Sequence, residues 1–148
     1  MKSKIFDTSS WPVATNLSWA RTILHESIHA YLSVYFALDR PGWIASYPQM
    51  VEEWGRINNW NDVHHEEIAR SLVQDIALSL KDYGDSKGYN LPVQFYEDLS
   101  WGGLQNTSTF NSLTNSEKNR ILNVIAVELT GKDLNSQNKS QKGSPSNC

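Results

Sequence analysis

The stretch Thr22-Ile23-Leu24-His25-Glu26-Ser27-Ile28-His29-Ala30-Tyr31-Leu32 decides how the chain is read. Around it the apolar residues fall at Leu17, Ala20, Leu24, Ile28, Tyr31, Tyr35 and Leu38, the alternating three-and-four spacing of one helical face. That spacing predicts a long helix over about 13–38, stopped by Arg40-Pro41-Gly42. On such a helix His25 and His29, four residues apart, differ by about 40° in direction and lie about 6 Å apart along the axis. With Leu32 and Phe36 they form a stripe at the edge of the apolar face, where the wall of a cleft would stand.

Two imidazoles so placed can converge on one metal ion at a Zn–N distance of about 2.0–2.1 Å. Glu26 points about 100° away from His25, too far round to ligate but within reach of a water at an open coordination position. Zinc would acidify that water, and Glu26 would take its proton and pass it to the leaving group. The plainer reading is a pair of histidines lining the core of a helical protein. The remaining histidines bear on the choice, because all four lie in two clusters, the second being His64-His65-Glu66-Glu67.

A catalytic zinc site takes three protein ligands and a water. The second cluster opens another long helix, from Asp62 or Val63 to about Tyr83, with Ile68, Ala69, Leu72, Val73, Ile76 and Leu80 on its buried face and Gly84 ending it. Projected backwards from Leu72 and from Ile68 and Ala69, this helix puts His65 at the centre of the buried face, with His64 and Glu66 on its flanks. His65 is therefore the expected third ligand. Glu66 is its rival, since a carboxylate on a downstream helix is an equally common third ligand. The structural alternative is a solvated first turn in which Glu66 and Glu67 complement the helix dipole.

Composition narrows the function classes. Lys and Arg number 13 against 16 Asp and Glu, the pI is near 5.8, and no basic cluster occurs, so binding to nucleic acid is not expected. No apolar run is long enough to span a bilayer, and the start MKSKIFDTSSWP lacks the apolar stretch of a signal peptide. The single cysteine, Cys148, provides neither a disulfide framework nor a thiolate cluster. A reducing cytoplasm is the expected compartment, and a bound metal must use His, Asp or Glu.

The rest of the chain reads as helices and turns. Tyr47-Pro48 followed by QMVEEWGRI predicts a short helix, and Asn58 to Asp62 a loop. Leu91 to Leu99 reads as a short helix, and Trp101-Gly102-Gly103-Leu104 as a turn. Thr114-Asn115-Ser116-Glu117 is a capping box introducing a last helix through about Leu129, closed by Gly131. The polar stretch that follows predicts disorder, giving one domain over 1–130 and a tail over 131–148. The expected fold is mainly α and compact, with two long helices carrying the metal site and little or no β-sheet.

With TILHESIHAYL, YPQMVEEW, HHEEIA and DLSWGGLQNTSTF in hand, the chain resembles the small SprT-like zinc metallopeptidases of bacterial and phage genomes, over about Ala20 to Leu113. The resemblance implies a zincin-like domain that binds Zn2+ through His25 and His29, with Glu26 as catalytic base, and that cleaves a protein or peptide substrate. It implies His65 as third ligand, because the position before Glu66-Glu67-Ile68-Ala69 matches the family's second His-Glu pattern. Thermolysin-type peptidases use Asn-Glu-x-x-x-Asp instead, and Arg70 stands where that Asp would be. Zinc peptidases also carry a sheet upstream of the active-site helix, for which the mostly helical residues before His25 leave no room. Two other readings stay open: a zinc-stabilised binding or adaptor module of a phage or mobile element, and a helical interaction protein without metal. As a second group on the reacting oxygen, Tyr47, Tyr96, His64 and Arg70 are all candidates.

Overall fold

The computed structural model describes residues 14–38 and 60–146. The expectations for Arg40-Pro41-Gly42, for the short helix after Pro48 and for Tyr47 lie outside these residues. Among the described residues the fold is helical throughout, and the only β-type pairings are isolated bridges, Thr15 with Pro145 and Lys132 with Asn138. This is the mainly α architecture expected. No helix among these residues is long and apolar enough to cross a membrane.

Helix α1 spans Asn16–Leu38. The Thr15 hydroxyl accepts from the Ser18 amide at 3.2 Å, satisfying one of the donors that a helix start leaves open. Ser18, His25 and Leu32, seven residues apart, are all buried, with Leu24 and Ile28 beside them. The buried face is thus centred closer to the histidine stripe than the apolar spacing predicts. Tyr31, expected on that face, is 62% exposed.

The second long helix is not one uninterrupted α-helix. It comprises α2, Trp60–Glu67, a π-helical segment, Ile68–Leu72, and α3, Val73–Ser86. Trp60 to Asp62, read as loop, already belong to α2. Buried Ile68 and buried Val73 are five residues apart, the spacing of a π-turn, while Leu72 is only partly buried. The helix runs on through Gly84, which was expected to end it. A Cβ at Gly84 would lie 2.0 Å from the Tyr96 hydroxyl, so glycine here makes room for a packed tyrosine within the helix.

Helix α4, Val93–Ser100, begins after Pro92, and its buried Tyr96 and Leu99 join the core formed by Ile68, Val73, Ile76, Ala77 and Leu80. A short helix not foreseen in the sequence, α5, covers Ser108–Asn111 and is capped by the Thr107 side chain. Helix α6, Asn115–Thr130, starts at the predicted Thr114/Glu117 capping box and ends at Gly131 in the left-handed conformation, φ 71°. Asp98 of α4, buried, receives Arg120 of α6 through Nε at 2.8 Å and Nη2 at 3.1 Å, a bidentate pair that fixes the two helices.

Residues 132–146 are not the free tail that their polarity predicts. The signal that composition hides is Glu128, fully buried on α6. Its carboxylate accepts from the Thr15 hydroxyl at 2.7 Å, the Lys142 amide at 2.6 Å and the Gly143 amide at 3.1 Å. Tyr89 adds bonds to Asn16 and Ser144. One buried carboxylate therefore binds the start of α1, the end of α6 and the returning chain. Glu128→Gln replaces a carboxylate by an amide whose NH2 faces either the Lys142 N–H or the Gly143 N–H and the Thr15 hydroxyl. It is expected to cost about 2–3 kcal/mol in urea denaturation and to open the chain after Gly131 to proteolysis. Unchanged stability would show that something else holds this segment.

Candidate metal centre

The two histidine clusters meet. The Nε2 atoms of His25 and His29 on α1 lie 3.0 Å apart, and those of His25 and His65 on α2 lie 3.2 Å apart. Two nitrogens bound to one zinc in a tetrahedral arrangement are about 3.3 Å apart at the usual Zn–N distance. The rings stand at 51° to 69° to one another, His25 against His29 at 60° and His29 against His65 at 69°. His25, His29 and His65 form a group that could hold a metal ion.

Hydrogen bonding among the imidazoles does not account for this geometry. A neutral ring nitrogen is either a donor or an acceptor, so three Nε2 atoms turned to one point cannot all be satisfied by one another. A cation satisfies three lone pairs at once. The donor set of three imidazoles suits zinc as well as copper, iron or nickel.

Electrostatics hold the rings in the ligating form. Burial pushes the His25 pKa down to about 4, helped by the neighbouring His29 and His65 rings and by Arg21. His29 and His64 are lowered too, by burial first and then by other histidines of the cluster. Neutral imidazoles are the metal-binding species.

Glu66, the rival third ligand, turns the other way. Its carboxylate accepts from the Ser108 amide at 2.8 Å, the Thr109 amide at 3.0 Å and the Thr109 hydroxyl, and these bonds, the last foremost, lower its pKa. Its place is the start of α5, not the imidazole cluster. His64 also departs from the projection. It is the deeply buried member of the pair, 4% exposed, and its Nδ1 lies 3.2 Å from Nδ1 of His29. The π-turn explains this. One extra residue in a turn rotates everything upstream by about 100° relative to α3, which brings His64 into line with Ile68 and leaves His65 on the side facing α1.

Glu26 is exposed, on the helical step after His25. Among the other candidates, Arg70 is exposed and paired with Glu67, and Tyr96 is fully buried in the core beside Gly84.

The sequence reading missed Arg21 and the second role of Gly102-Gly103. Arg21, one turn before His25, packs its guanidinium against Gly102, where a Cβ would sit 2.6 Å from Cζ. Burial lowers its pKa, and the charge of Glu26 opposes that shift. Gly103, at φ 87°, lies over the His25 ring, with a Cβ position 3.2 Å from Cε1. The turn after Trp101 is therefore a lid on the first histidine, and two adjacent glycines in an otherwise helical sequence were the available signal.

Compared with family models, with curated proteins and with solved structures, the chain matches none of them.

Two outcomes are expected of this centre. His25 binds a proton less readily folded than unfolded, so metal-free protein loses stability as pH falls from about 6.5 towards about 4, by up to about 3 kcal/mol from this residue. Denaturant unfolding at pH 7 and pH 4.5 checks the sign, and greater stability at pH 4.5 would contradict it. By elemental mass spectrometry, His65→Ala is expected to lose bound metal while Glu66→Ala retains it, and the reverse would restore Glu66 as the ligand.

Proposed function

We propose that the chain is a zinc-dependent hydrolase, a peptidase of the small SprT-like kind acting in a reducing cytoplasm, with His25, His29 and His65 as zinc ligands and Glu26 as general base. The observation that carries this reading is the commitment of the neighbouring candidates elsewhere. His64 meets the far nitrogen of His29 and Glu66 meets α5, so among the described residues three candidate ligands converge and neither of these two neighbours closes the set. An open fourth position distinguishes catalytic zinc sites from structural ones.

When bound there, zinc would supply Lewis acidity, polarising a carbonyl and making a water acidic enough to attack at neutral pH. The chain's own residues do the rest. The three imidazoles fix the position of the reacting centre, and the Gly102-Gly103 turn packs against the His25 ring. Glu26 accepts the proton of the attacking water on a carboxylate oxygen and returns it to the leaving nitrogen, so the peptide C–N bond breaks and a carboxylate and an amine are released. Arg21 sets a positive charge beside His25 and Glu26.

The adaptor reading requires a structural, four-ligand site, and the bonds made by His64 and Glu66 count against it. The test is Glu26→Gln, scored on zinc content and on hydrolysis of a fluorogenic peptide library. Zinc is expected to stay at the wild-type level while turnover falls by about 10²–10⁴-fold. A zinc-loaded wild type that cleaves nothing in the library, or a variant as active as wild type, would overturn the peptidase reading.

A further inference from the structure

We propose that His64 is a positioning residue whose Nδ1 accepts the Nδ1–H of His29 and so holds His29 in the tautomer that turns its Nε2 towards the cation. The inference rests on the metal-centre reading above and adds to it a partner for one ligand.

The Nδ1 atoms of His29 and His64 are 3.2 Å apart, so one ring must donate and the other accept. A neutral imidazole that ligates through Nε2 carries its proton on Nδ1. His29 is then the donor, and His64 accepts with its own proton on Nε2. The rings lie 5.4 Å apart between centroids, at 39°.

The helix explains why neighbouring residues divide the work. His64 and His65 are successive on α2 and point about 100° apart, so when His65 reaches the shared Nε2 point His64 passes behind His29. His64 is 4% exposed and in line with buried Ile68 on the helix. A metal-bound histidine usually donates its second N–H to a carboxylate or a carbonyl. A neutral imidazole in that role orients the ligand without adding negative charge, which leaves the cation the stronger Lewis acid.

Two near-isosteric variants separate the acceptor from the shape. Asn Oδ1 occupies the place of His Nδ1 and accepts, whereas Leu fills the same place and cannot. Zinc affinity is measured by competition with a chromophoric chelator on wild type, His64→Asn and His64→Leu, with circular dichroism of each metal-free protein as the folding control. His64→Leu is expected to bind zinc about 10–100-fold more weakly, with His64→Asn close to wild type. Equal weakening in both variants, or none in either while wild type binds zinc, would overturn the inference and leave the metal centre standing. Wild type without zinc would remove the centre itself.

Should His64→Leu not fold, long-range 1H–15N correlation of the zinc-loaded wild type decides the matter. Protons on His29 Nδ1 and His64 Nε2 are expected. A proton on His64 Nδ1, or metal bound to His64, would overturn the proposal.

Discussion

Three imidazole nitrogens from two helices meet at one point, and the meeting constrains how α1 and α2 cross. Such a crossing has to be imposed from elsewhere, because convergent lone pairs and buried polar rings oppose it when no cation is present. The surrounding structure supplies the constraint from two sides. Ile68, Val73, Ile76, Ala77 and Leu80 fix the second helix in the core with Leu17 and Leu32 of α1. From the other side the Gly102-Gly103 turn lies against Arg21 and His25. Removing a Cβ at both glycines is what allows backbone to approach side chains so closely there.

The π-helical segment converts one register into another within this frame. Downstream of it, α3 presents Val73, Ile76, Ala77, Leu80 and Gly84 to the core in ordinary α spacing. Upstream, the inserted residue turns His64 inward and His65 towards α1, while Glu66 is carried to the amides of Ser108 and Thr109. An uninterrupted helix holding the same core would have aimed different side chains at α1. Short π segments recur at functional sites because they redirect side chains without breaking the helix, and this one does so for three successive residues.

The legible part of the fold is the part that periodicity and local chemistry write directly. The Thr114/Glu117 box, Gly131, Pro92 and the three-and-four spacing of α1 each announce an element, and each element is there. The convergence of His25, His29 and His65 was legible too, from residue type and clustering. What escaped was set by tertiary contacts. A π-turn has no compositional mark, so the positions of His64 and His65 were exchanged on the helical face. Glu128 reads as one more polar residue of a helix, yet its buried carboxylate organises Lys142 and Gly143, in a stretch whose own composition predicts no order. Tyr31 obeys the apolar spacing and is nevertheless 62% exposed, because α1 turns Ser18, His25 and Leu32 inward.

Arg21 and Glu26 bring charges of opposite sign to the imidazole cluster. His29 meets another imidazole at its Nδ1, and burial lowers the pKa of His25, His29 and His64. Arg21 adds a positive charge that burial makes costly, and Glu26 is the carboxylate that relieves it. Glu26 also favours the charged form of His29, one turn on. The same carboxylate that would accept a proton during hydrolysis is thus the counter-charge that lets an arginine pack beneath the glycine turn. A neutral amide at position 26 keeps the shape but withdraws both services. A loss of stability alongside the loss of turnover would then report on Arg21, whereas loss of turnover alone isolates the proton transfer.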